Sequence, residues 1–141
     1  LLNFDPVSSK TNIGAAVEFM TNAIKKRCTV FILSDFFDKD DFTSQLTIAN
    51  RRHDVVALQI YDQRLAELPN IGIIKVCDAE TGSETYIDTS SRQTRRAHHE
   101  WWVRNQMLLR NIFTKSNVDN ISIRTDEDFV KALMMLFRRR A

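Results

Sequence analysis

The chain has 141 residues, 43% of them apolar and 27% charged, enough to bury one core and unlike a disordered segment. Twenty basic against eighteen acidic residues leave a formal charge of +2, which excludes a global field aimed at nucleic acid or anionic lipid. Cys28 and Cys77 lack metal-ligand spacing and are too few for a disulfide framework, and no apolar run reaches the roughly 20 residues that span a bilayer, so a reducing, cytoplasmic setting is expected.

No signal peptide opens the chain, and it begins at Leu1 instead of Met, so we expect one domain over residues 1–141 that is a fragment of a longer protein, whose upstream part could carry an anchor. From Asn12 to Lys26, Ile13, Ala16, Val17, Met20, Ala23 and Ile24 recur at helical spacing, with Thr11 as the expected N-cap and Lys25, Lys26 and Arg27 suiting the negative end of the dipole. The run Cys28 to Leu33 is apolar on both faces, predicting a central parallel strand that ends at Ser34 and Asp35. Behind the acidic turn Asp38, Lys39, Asp40, Asp41, the spacing of Phe42, Leu46 and Ala49 predicts a short helix, and Val55 to Ile60 a second buried strand. Strand, helix and strand with so short a crossover indicate a parallel sheet covered by helices.

Further on, Ile73–Cys77 and Thr85–Ile87 flank the polar stretch Asp78 to Ser83, an antiparallel hairpin expected at the sheet edge. A long helix is predicted from Ser91 to about Lys115, with Trp101, Trp102, Leu108, Leu109, Ile112 and Phe113 on its inward arc. Asn120 to Arg124 alternates as a short strand with Ile121 and Ile123 inward. The last helix opens with Thr125 and Asp128 as an expected capping box, carries an apolar face of Phe129, Ala132, Leu133, Leu136 and Phe137, and ends on Arg138, Arg139 and Arg140.

Ligands of open parallel sheets sit beyond the carboxyl ends of the strands, which makes Ser34 and Asp35 the leading site candidates, with Thr11 expected at the same edge. A carboxylate and hydroxyls suit a hard cation such as Mg²⁺. The plain structural alternative is that Asp35 caps the following turn and Thr11 its helix. His98, His99 and Glu100 are adjacent on a helix and point apart, as solvated surface does. His53, between Arg52 and Asp54, is read as a strand-entry turn, because catalysis there would need a nucleophile that the sequence does not single out. The basic stretch Arg92, Arg95, Arg96, His98 and His99 beside two tryptophans has the composition of a single-strand binder, yet the tryptophans fall on the buried arc, which favours packing.

The run Thr11 to Val17 followed by Val30 to Phe36 resembles two segments of the metal-ion-dependent adhesion site of von Willebrand A domains. More narrowly, Ser34-Asp35-Phe36-Phe37, Arg52-His53-Asp54-Val55-Val56, Leu68-Pro69, Asp78-Ala79-Glu80-Thr81-Gly82 and Phe137-Arg138-Arg139-Arg140 resemble the bacterial family called domain of unknown function number fifty-eight. The resemblance implies a von Willebrand A-like, Rossmann-like α/β fold lacking its first strand. It also implies a non-catalytic adaptor working with a MoxR-type AAA+ ATPase; from charge and hydropathy, no nucleic acid is expected as partner and no membrane contact from this fragment. Thr11 and Asp35 would belong to a Mg²⁺ site in the full-length protein, and Thr11, Ser34, Asp35 and Phe36 to the binding surface. The opening Asp-x-Ser-x-Ser is absent, the nearest match being Asp88-Thr89-Ser90-Ser91-Arg92. An exposed edge left by the missing strand could pair with a second copy, giving a homo-oligomer. The alternative function is a divalent-metal nuclease or phosphohydrolase centred on Asp35, with Asp38 and the basic helix beside it.

Overall fold

A computed structural model describes residues 11–78 and 81–140 of the chain. Its elements are α1 (Ile13–Ala23), β1 (Thr29–Ser34), α2 (Thr43–Arg52), β2 (Asp54–Tyr61), α3 (Gln63–Ala66), β3 (Ile73–Cys77), β4 (Glu84–Asp88), α4 (Arg92–Ser116), β5 (Asp119–Arg124) and α5 (Phe129–Arg140). Strands β1, β2 and β5 form a parallel sheet in that order, with Thr29 opposite Asp54 and Val56 opposite Asp119. The α/β architecture expected from the two alternating periodicities is therefore present. The expected order differs in one respect: among the described residues β2, not β1, is the central strand.

The alternation along β2 explains both layers. Val55 and Ala57 join Ile13, Val17, Leu46, Ala49, Leu109 and Phe113 beneath α1, α2 and α4, whereas Val56 and Leu58 pack with Leu136, Leu133 and Ile121 beneath α5. β1 has β2 on one side, and among the described residues no strand pairs with its other side. Phe31 and Leu33 point to the α5 face, where they are 44% and 62% exposed. Their apolarity made β1 look central; among the described residues no strand covers one edge of it and little covers one face.

Several local expectations shift for identifiable reasons. Asn12, not Thr11, caps α1, accepting the Ala15 N–H on its side chain at 2.7 Å. Lys25, Lys26 and Arg27 fall beyond its last turn, because Ile24 is already extended. Asp128 alone receives the Val130 N–H at the start of α5, while the Thr125 N–H donates to the Tyr61 carbonyl and extends the β2–β5 pairing. In α4, Trp102, Leu109 and Phe113 are buried but Leu108 is 62% and Trp101 38% exposed, so the inward arc is narrower than the wheel suggested. On α5, Leu136 is the fully buried residue and Phe129 remains 60% exposed.

The hairpin β3–β4 forms, but as a separate two-stranded sheet. Its inward-facing apolar pair is Ile74 opposite Ile87, too little surface to dock on the parallel sheet. Its base is instead fastened by Thr89, fully buried, whose hydroxyl donates to the Gly72 carbonyl at 2.6 Å. The loop closes through Gly82, at φ 69°, whose N–H donates to the Asp78 carbonyl. Ala79 and Glu80 of that loop lie outside the described residues.

Candidate functional site

The rim above the carboxyl ends of β1 and β2 begins where β1 stops. The Ser34 hydroxyl accepts the Phe36 N–H at 3.0 Å and Asp35 Oδ1 accepts the Phe37 N–H at 3.1 Å, so the two side chains fold the chain into a tight turn. Phe36 takes a left-handed conformation, φ 59°, uncommon for a bulky side chain. Burial holds it there: the ring is 6% exposed, stacked on Phe42 at 6.2 Å and edge-on to Phe113 at 5.2 Å. Phe36, expected on the binding surface, is a core anchor that fixes the direction in which Asp35 leaves the strand. Phe37 is the aromatic on the outer side, stacked on Trp101 at 5.4 Å and tilted against Trp102.

Asp38 ties the rim together. Its Oδ2 accepts the Ile13 N–H at 2.7 Å and its Oδ1 the Asp40 N–H at 3.1 Å, so one carboxylate satisfies the first turn of α1 and shapes the acidic loop. Asp41 binds the hydroxyl and N–H of Thr43 at the entry to α2; the Thr43 hydroxyl first, then its N–H, hold this exposed carboxyl below the ordinary carboxylate value. The result is a cleft of about 290 Å³ bordered by Asp35, Asp38, Asp40, Asp41, Lys39, Lys115 and the α4 residues Asn105 and Gln106.

Thr11 lies at this end of the molecule too. With Asn12 it lines a neighbouring hollow of about 390 Å³ whose other wall is β1 up to Ser34. Thr11 and Asp35 border adjacent clefts at this end of the sheet, not one shared cleft. One carboxylate and two hydroxyls supply three or four of the roughly six oxygens around Mg²⁺, and the Ser34 hydroxyl and Asp35 carboxylate already accept backbone N–H bonds. Among the described residues no group of three or more His, Cys, Asp or Glu converges on one point. These donors do not fit a self-sufficient Mg²⁺ site.

Gln59 is a rim residue that sequence reasoning passed over. It is 2% exposed, donates to the Asp35 carbonyl at 3.4 Å and accepts the Ser122 hydroxyl at 2.8 Å, linking all three strands at their carboxyl ends. Its signal was present: it is the one polar residue within the apolar run Val55–Ile60. The residues set aside as surface behave variously. His98 bonds the Leu65 carbonyl at 2.8 Å, Arg96 pairs with Glu100, and Arg95 clamps the carbonyls of Thr89 and Ser90.

These features define an α/β module with a parallel three-stranded sheet and an acidic rim at its carboxyl edge. The family model described as "Protein of unknown function DUF58" matches residues 1–107, and the chain belongs to that family. It is 33% identical over 89 residues to the uncharacterized protein MAV169 of Mycobacterium avium, covering 62% of this chain and 53% of that protein. It is 29% identical over 89 residues to the uncharacterized proteins Mb1516 of Mycobacterium bovis and Rv1480 of Mycobacterium tuberculosis, covering 28% of each. The chain thus spans about half the length of the first relative and less of the others. No solved structure matches it. No described helix is long and apolar enough to cross a membrane.

Proposed function

We propose that this chain is a von Willebrand A-like, non-catalytic interaction module of a bacterial cytoplasmic protein, and that it docks a MoxR-type AAA+ ATPase at its acidic rim. The observation that carries this reading is the rim's construction. A bulky residue is held left-handed by the core at the end of a parallel strand, a kind of strain that persists where the surroundings over-determine it and that clusters at binding sites. Around it, Asp35, Asp40 and Asp41 are exposed on a pre-formed loop, which suits recognition of a basic surface with little ordering cost. In support, Asp38 is engaged with α1 instead of facing Asp35 as a second catalytic carboxylate.

The test is capture of the purified ATPase by the full-length protein. Asp35→Ala is expected to weaken it about tenfold or more while leaving the thermal midpoint within about 2 °C, since Asp35 is exposed. Equal retention of the ATPase by both proteins would refute docking at this rim. Mg²⁺- or Mn²⁺-dependent cleavage of oligonucleotides that Asp35→Asn abolishes would establish the nuclease alternative in its place.

A further inference from the structure

At the opposite, amino-terminal end of the sheet, the fold completes a pair that the sequence left apart. Cys28 enters β1 and His53 enters β2, and the parallel register brings the Cys28 sulfur to 3.5 Å from His53 Nδ1. The Asp54 N–H donates to the Cys28 carbonyl at 2.9 Å, which fixes the two strand entries side by side. His53 is 2% exposed, and its Nε2 has no hydrogen-bond partner among the described residues. Buried polar atoms are normally partnered, and a partner at the far nitrogen is what usually locks a histidine tautomer. Nδ1 faces the sulfur, so the tautomer that carries its hydrogen on Nε2 leaves Nδ1 free to take a proton from the sulfur and return it. Cys28 is partly exposed, follows Lys25, Lys26 and Arg27 in sequence, and faces a histidine next to Arg52. Reactive cysteines occupy such half-accessible positions beside a histidine.

We propose that Cys28 and His53 form a thiol-exchange site at which Cys28 is selectively joined to low-molecular-weight disulfides, forming a reversible mixed disulfide. The Cys28 proton passes to His53 Nδ1 as the sulfur attacks one sulfur of R–S–S–R. The new Cys28–S–S–R bond forms, the original S–S bond breaks, and the departing R–S⁻ takes the proton from Nδ1. The co-reactant is the small disulfide itself, and no other oxidant is required. His53 acts here as the base; the nucleophile that its sequence neighbours did not supply comes from 25 residues upstream.

Cys77 provides an internal reference, because it is the exposed cysteine of the two. Accessibility alone makes Cys77 the faster thiol. The folded 141-residue chain is treated with dithio-bis-nitrobenzoate, and separately with glutathione disulfide, and the modified cysteine is assigned by peptide mass. Cys28 is expected to react about tenfold faster than Cys77, with the preference vanishing in concentrated urea and falling below one in His53→Gln. If His53→Gln does not fold, the wild-type comparison of folded with urea-unfolded chain decides. Faster reaction at Cys77 in the folded protein, or a Cys28 preference that survives unfolding, would overturn the proposal.

Discussion

Replacing Asp38 with Ala tests whether the rim and α1 form one unit. Asp38 is half-buried, and its two oxygens accept N–H groups from residues 25 and 2 positions away, Ile13 and Asp40. The Ile13 bond satisfies one of the orphan donors at the start of α1, and loss of such a cap costs about 0.5–2 kcal/mol. The Asp40 bond is exposed and adds a few tenths at most. The expected loss is therefore about 1–2 kcal/mol, or roughly 3–8 °C in a chain of this size. Asp38→Asn keeps an oxygen acceptor and should lose less than half as much. Asp40→Asn, whose side chain makes none of these bonds, should be neutral. Urea unfolding followed by circular dichroism, with m values compared, measures all three. If Asp38→Ala unfolds within about 0.3 kcal/mol of wild type, Asp38 does not couple the rim to α1.

Core truncations should separate the two layers: Leu46→Ala and Leu136→Ala, both fully buried, should each cost about 2–5 kcal/mol in urea unfolding, while Phe129→Ala, on an exposed part of α5, should cost under about 0.5. Asp41 and Asp88 have carboxyls held below the ordinary value of 3.8, Asp88 by the Ser90 hydroxyl and then its N–H. A depressed folded value means that the stabilisation is present above pH 3.8 and lost as the pH falls through the lower folded value. The Asp41→Asn, Asp88→Asn double variant should therefore lose stability less steeply below that pH, and an unchanged acid limb in a pH series of urea midpoints would contradict this. Asn117, left-handed at φ 53° where α4 ends, should tolerate Gly at no cost and lose about 1 kcal/mol as Ala, as thermal unfolding will show.

The sequence made the layers legible because burial on both faces and burial on one face leave different periods. Val55–Leu58 and the pair Leu46 and Ala49 could be read that way, and all of these are core. Phe31 and Leu33 could not, since an apolar run does not record whether a neighbouring strand or helix covers it. The rim was legible in position but not in roles. Ser34 and Asp35 announced a strand end, yet the burial of Phe36 and the exposure of Phe37 depend on a left-handed backbone that no spacing rule predicts. Asp38 resembled its acidic neighbours and differs only because α1 arrives beside it. Cys28 and His53 share no motif and meet solely through parallel register.

The two ends of the sheet do different work, and this has a measurable consequence. At the amino end, Arg140 bonds Asp54 at the start of β2 and, at 2.9 Å, Asp119 at the start of β5, fastening α5 across two strands. Both carboxylates are partly exposed, so the cluster contributes about 1 kcal/mol, not the larger sum that a buried network would give. Ser34 stands opposite Gln59, five residues beyond Asp54, so it lies roughly 17 Å from this cluster at about 3.3 Å per residue, and Asp35 follows it. Sites that far apart without shared partners should add independently, within about 0.5 kcal/mol. Asp35→Ala should leave stability unchanged, Arg140→Ala should lower it by about 1 kcal/mol, and the double variant should match their sum. If the double variant departs from that sum by more than about 0.5 kcal/mol, the rim and the amino end are coupled through the strands, and a partner bound at Asp35 would be felt at Cys28 and His53.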